Sequence, residues 1–126
     1  MTLREKIYTT LRDDTTLRNL LGKTQTPYGI YLLSPPEVPQ FPIITYFIGP
    51  QTGKMPRDIT INITAWGSNY EEVQNRVYEL LNRKIFQTDD FFQLLLTWDW
   101  ASPEMWDDNF KVYYRQDRYI AKVIKK

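Results

Sequence analysis

Neither cysteine nor histidine occurs in this chain. The first absence excludes disulfides and thiolate metal sites and leaves the compartment open, with cytosolic folding allowed. The second removes imidazole general bases and nearly every zinc site. Together they exclude Ser-His and Cys-His nucleophile systems, so any catalysis would run on carboxylates, Lys, Tyr or Ser. Charge of one sign is missing too: sixteen basic residues against fifteen acidic leave a net charge of +1. No overall field therefore draws in a polyanion such as DNA or an anionic membrane. No apolar run approaches the roughly 18 residues of a membrane helix. The opening residues to Arg12 also lack a basic head followed by an apolar stretch. The expectation is no membrane span, no signal peptide, and folding in the cytosol.

The 126 residues are expected to form a single domain, 1–126, that buries roughly two-thirds of the surface its unfolded form exposes. Thr2 and Glu5 have the spacing of a capping box, and Leu3, Ile7 and Leu11 follow as the apolar stripe of an amphipathic helix. Leu17, Leu20 and Leu21 extend it as far as Gly22, which suits a left-handed helix end. This stretch reads as one helix with a broken end. Gly29 to Leu33 reads as a short strand, and Ser34 to Pro42 as a stiff extended loop, since its prolines cannot donate ladder hydrogen bonds. Pro42 to Phe47 is a second strand, returning through the turn-rich Gly49 to Pro56.

The block from Arg57 to Leu81 determines most of the architecture. Ile59, Ile61, Ile63 and Ala65 alternate with Thr60, Asn62, Thr64 and Trp66, which predicts one core face and one mostly wet face. Gly67 breaks the strand. Ser68 with Glu71, or Asn69 with Glu72, offers a cap for a helix carrying Tyr70, Val73, Val77, Leu80 and Leu81 on its buried stripe. Glu71 and Glu72 at its start and Arg83 and Lys84 at its end suit the helix dipole. Further strands are expected over Leu94 to Trp100 and Val112 to Ile124, around an irregular Ser102 to Asn109. The fold class is α+β: a mostly antiparallel sheet of four to five strands with two main helices packed on one face.

Nine of the nineteen aromatics fall between Phe91 and Tyr119. Most should be core, because large aromatics dominate burial in small domains. Strict alternation puts Trp98 and Trp100 on one strand face, and Tyr113 and Tyr114 cannot both point inward. Some aromatics must therefore meet solvent or a partner, and Trp98, Trp100 and Trp106 are candidate interface anchors. Lys111, Arg115, Arg118 and Lys122 lie near enough to raise stacking on single-stranded nucleic acid, although the glycine-bearing RNA-recognition motif is absent. Asp89-Asp90, Asp99, Glu104 and Asp107-Asp108 could gather around a divalent cation, but adjacent acids at loop edges are more often turn and cap residues. Gly49 to Pro56 has neither phosphate-loop spacing nor a following helix. No catalytic, metal or cofactor residue is assigned, and no enzymatic activity is expected.

The Leu3 to Gly22 helix with its Leu-Leu-Gly stop, the Ile30-Tyr31 strand before the proline loop and Phe41-Pro42-Ile43-Ile44-Thr45-Tyr46, and the Ile59 to Trp66 strand entering the Tyr70 to Leu81 helix resemble the tail-completion family of long-tailed bacteriophages. Members are also described as tail terminators or head-tail joining proteins. The resemblance implies a non-enzymatic subunit that closes the tail tube and joins it to the head connector as a hexameric ring. Its partners would be further copies of itself, the tail-tube protein and the head connector protein. Nucleic acid would only pass through the ring lumen, no membrane would be involved, and the protein would be found in host cytoplasm during assembly and then in the virion. On this reading the candidate ring contacts are Pro36, Val38, Pro39 and Phe41, with Gly49, Gln51, Thr52, Gly53, Lys54 and Met55 as a docking loop. The alternative is a small adaptor that binds protein or single-stranded nucleic acid through an aromatic sheet face.

Overall fold

In the computed structural model, which describes residues 1–49 and 58–125, Thr2 and Glu5 form a capping box. Thr2 N donates to Glu5 Oε1 at 3.0 Å, and Glu5 N donates to Thr2 Oγ1 at 3.3 Å. This starts α1, Leu3–Arg12. The single broken helix expected here is in fact two. Asp14 adopts extended backbone and caps a fresh start, its Oδ2 accepting from Leu17 N at 2.8 Å, so that α2 spans Thr15–Leu21. Gly22 closes α2 at φ 68, the left-handed end that the leucine stop suggests.

The strands are β1 Ile30–Leu32, β2 Ile43–Ile48, β3 Asp58–Trp66, β4 Ile85–Thr88, β5 Phe92–Ala101, β6 Met105–Asp107 and β7 Val112–Lys125, with α3, Tyr70–Leu81, between β3 and β4. They form one sheet of seven strands in the order β1-β2-β3-β7-β5-β4, with β6 also on β7. Among the described residues the expectation of four to five strands is too low, because β4 and β6, of four and three residues, are too short to show in the pattern, whereas β1 lies where a short strand is expected. The expectation of a largely antiparallel sheet holds for every pair except β1 and β2. These run parallel, Ile30 opposite Ile44, since the proline segment carries the chain back to the starting end of β1.

Register explains the core. On one face β3 presents Ile59, Ile61, Ile63 and Ala65, opposite Ile44, Tyr46 and Ile48 of β2 and opposite Ala121, Tyr119 and Asp117 of β7. Leu3, Ile7, Leu11, Leu17, Leu21, Val73, Val77 and Leu81 of the helices join these residues in one buried cluster. The second face is drier than alternation alone suggests. Asn62 and Thr64 are buried, because Gln116 Nε2 donates to Asn62 Oδ1 at 2.9 Å and the Trp66 indole lies over Thr45, donating Nε1–H to its Oγ1 at 2.9 Å.

Between β3 and α3, Gly67 takes φ 138, and a Cβ there would stand 2.9 Å from Pro42 Cβ. This glycine both breaks the strand and admits the proline of β2's entry. The helix that follows lacks the side-chain cap expected of it. Asn69 instead donates Nδ2–H to the Leu20 carbonyl at 3.1 Å, tying α3 to the end of α2. Arg83 and Lys84 lie beyond the last turn: Arg83 takes φ 63 and the chain turns at once into β4, with Arg83 N donating to Leu96 O. Among the described residues no helix is long and apolar enough to cross a membrane.

Candidate functional site

The proline loop is anchored at its end and free at its middle. Lys23 Nζ donates to Pro42 O at 3.0 Å, and Phe41 turns back to join Trp66, Phe110 and Tyr114 in an aromatic cluster. Trp66 and Tyr114 stack at 4.4 Å between centroids, and Phe110 meets both Trp66 and Phe41 edge-on. Phe41, named from sequence as an interface candidate, is thus half-buried and contributes to the fold. Pro36 and Pro39 are also half-buried, while Val38 is 82% exposed and Leu33, at the end of β1, is 67% exposed. Leu33 directly follows β1, an outer strand whose far edge pairs with no other strand among the described residues. An open strand edge beside exposed apolar groups is material for main-chain pairing and burial in a protein contact.

The three candidate tryptophans do not form one patch. A register shift in β5 between Trp98 and Trp100 places Trp98 opposite Tyr119 and Trp100 opposite Arg118. The bulge spends one residue without a partner and flips the alternation, so the two indoles lie on opposite faces rather than sharing one. Trp98 faces α3, meeting Tyr78 edge-on and donating Nε1–H to Asp117 Oδ1 at 3.1 Å. Trp100 sits under the Arg118 guanidinium, 5.6 Å from the ring centroid, while Arg118 pairs with Asp99 at 2.8 Å. Trp106 lies at the β6 end of the sheet against Tyr113, ring centroids 4.7 Å apart. Tyr113 is exposed and Tyr114 half-buried, as their adjacency requires.

The cations near these aromatics are divided as well. Arg115 lies on the helix side and donates Nε–H to Ser102 O at 2.8 Å, whereas Arg118 lies on the other face and is paired with Asp99. Arg115 and Arg118 therefore do not share a face, whereas Lys122 has the parity of Arg118 on β7. The acidic pairs have turn and cap partners: Asp90 Oδ1 accepts from Leu3 N, Asp107 Oδ1 from Phe110 N and Asp108 Oδ1 from Trp106 Nε1. Among the described residues no three carboxylates gather where one metal ion could be held. Of the docking-loop candidates, Gly49 is buried and donates its N–H to Thr60 O at 2.7 Å; Gln51, Thr52, Gly53, Lys54 and Met55 lie outside the described residues.

Sequence reading missed a cleft between α3 and the β5–β7 pair. It has a volume of about 310 Å³ and is lined by Gln74, Asn75, Tyr78, Trp98, Ala101, Arg115 and Asp117. Asp117 is buried, and burial raises its carboxyl above the usual carboxylate range, against the opposing effect of hydrogen bonds from Trp98 and Gln74 and the charge of Arg115. A signal was present: Tyr119, Ala121 and Val123 alternate as core residues, and the same parity carries Asp117 inward.

No family model matches this chain. No curated protein matches it either. Its fold is similar to that of a solved chain described as "Virion of native gene transfer agent (GTA) particle", with a TM-score of 0.72 and 16% identity, over 97% of this chain and 94% of that one. At that identity the likeness is one of fold, and it extends over nearly the full length of both chains rather than over a fragment.

Proposed function

We propose that this protein is a structural subunit of a phage-like virion, and within it a tail-completion subunit that closes the tail tube and joins it to the head connector as a hexameric ring. The observation that carries the coarser part is the end-to-end fold match to a chain from a gene transfer agent virion. The finer part rests on the resemblance of the Leu3 to Leu81 elements to tail-completion proteins. It is supported by a surface suited to unlike contacts: a ring needs one face of a subunit to meet a different face of its neighbour. The outer β1 edge with Leu33 next to it is one such surface, exposed Val38 in the proline loop is a further apolar contact candidate, and the α3 side of β5 and β7 is another surface.

On this reading the protein works by shape and surface rather than chemistry, and the lack of His and Cys is no handicap. The test is deletion of the gene in the phage or prophage that carries it, followed by electron microscopy of the lysate. Unjoined filled heads and free tails, with joining restored by the gene supplied in trans, are the expected result. Normal joined particles from the deletion would overturn the proposal.

A further inference from the structure

Asp117 is an enclosed carboxylate whose burial is only partly offset by nearby charge. The residue is 5% exposed, yet both of its donors are neutral: Gln74 Nε2–H reaches Oδ2 at 3.0 Å and Trp98 Nε1–H reaches Oδ1 at 3.1 Å. None of the ion pairs among the described residues includes it. Arg115, two residues earlier on the same face, lines the cleft and its charge favours the ionised carboxylate, but its Nε is committed to the Ser102 carbonyl and it closes no ion pair with Asp117. Enclosing a carboxylate without a direct ion pair is unfavourable, and buried charges are as a rule paired.

The carboxylate is also reachable. It forms part of the wall of the 310 Å³ cleft, about ten times the roughly 30 Å³ that a water molecule occupies in the liquid. That is room for a side chain rather than for a lone ion. Tyr78 and Trp98 flank it, 44% and 40% exposed, with ring centroids 6.4 Å apart. Half-exposed aromatic faces beside a desolvated negative charge attract an alkyl-ammonium or guanidinium group, which gains from both the rings and the carboxylate.

We propose that this cleft is the socket for one lysine or arginine side chain from a second copy of this chain. The choice of a second copy rests on the virion-subunit reading above, and the cleft's position supports it. The β7 and β5 strands that form its wall are separated from β1 and its exposed apolar residues by β2 and β3. The socket and the open edge are therefore different surfaces, as head-to-tail association requires.

The test is sedimentation equilibrium of the purified full chain over a concentration series, comparing wild type, Asp117→Asn and Tyr78→Ala. Asparagine has the same shape and stays satisfied: its carbonyl accepts from Trp98, and its amide donates to a flipped Gln74. Asp117→Asn should keep the wild-type melting transition or raise it, and should weaken self-association by at least about 30-fold, as loss of one partner of a buried charged pair does. Tyr78→Ala, at an exposed position, should weaken it in the same direction and keeps the test valid if the asparagine variant misfolds. Wild-type affinity in both variants, or a wild type that stays monomeric at every concentration, would overturn the inference. The gene-deletion phenotype is independent of this result, so unjoined heads and tails alongside unimpaired Asp117→Asn association would reject the socket alone.

Discussion

Arg76 on α3 grips Asp14, the N-cap of α2, through two parallel hydrogen bonds, Nε to Oδ2 at 2.8 Å and Nη2 to Oδ1 at 2.6 Å. The same carboxylate accepts from Leu17 N, so one side chain starts a helix and fastens it to another. Paired charged bonds of this fork geometry are the stronger kind. Asp14→Ala should cost about 2 to 3 kcal/mol, combining a lost cap with a lost charged pair. Arg76→Lys should recover only part of the pair, because an ammonium cannot reproduce the fork. Urea unfolding with an unchanged slope and a lower midpoint would show this; midpoints equal to wild type in both variants would refute it.

The aromatic cluster gives a second expectation. Phe41 reaches Trp66 and Phe110 from the proline loop. Phe41→Leu keeps most of the buried area and loses the ring pairing, which should lower stability by about 1 kcal/mol. If Phe41 acted only in subunit contacts, the isolated variant would unfold at the wild-type denaturant concentration.

Gly67→Ala combines backbone strain at φ 138 with a methyl group 2.9 Å from Pro42 Cβ. A non-glycine residue in that region costs of order 1 to 3 kcal/mol before the clash is counted. Differential scanning calorimetry should show a clearly lower transition temperature, whereas Gly22→Ala meets nothing within 4 Å and should show the smaller, purely conformational loss.

These elements also show what could be read in advance. The β3–α3 unit, the Thr2–Glu5 box and Gly22 were legible because each depends on residues within a few positions of one another. Asp14 as a cap was missed because the leucines continue past it at helical spacing, and only the Arg76 partner, 62 positions away, makes the break decisive. Strand β4, four residues flanked by Lys84 and Asp89, is too short for its alternation to register. The separation of Trp98 from Trp100 depends on a bulge at the pairing with β7, and pairing is a property of the sheet rather than of the strand. Among the candidate contacts, Val38 and Phe41 diverge for a similar reason: both sit in one proline loop, but only Phe41 has Trp66 within reach.

Val38 offers the sharpest separation of folding from assembly. At 82% exposure, Val38→Asp should change stability by no more than about 0.5 kcal/mol. Placed in an apolar contact, the same carboxylate would be desolvated without a partner. Complementation of the deletion strain by Val38→Asp should give few joined particles from a protein that melts like wild type. Full complementation would remove the proline loop from the assembly surface.

Asp14 and Asp117 should respond to pH in opposite directions. The Asp14 carboxyl is held below its ordinary value first by the Arg76 hydrogen bonds and then by Leu17 N–H and the Arg76 charge, against burial. Its contribution is complete above the unfolded-state value and is lost as pH falls through the lower folded-state value. Asp117 is pushed up, chiefly by burial. Its folded form retains the proton longer than the unfolded chain does, so the associated stability is complete below the unfolded-state value and declines as pH rises through the folded-state one. Replacing each by asparagine should separate the two trends in denaturant unfolding from acid to neutral pH. The deficit of Asp14→Asn should shrink toward acid, whereas Asp117→Asn should match wild type in acid and gain on it as pH rises. A difference between Asp117→Asn and wild type that stays flat with pH would mean that Arg115 and the neutral donors already offset the burial of Asp117 within the isolated subunit, and with that the reason for a socket would disappear.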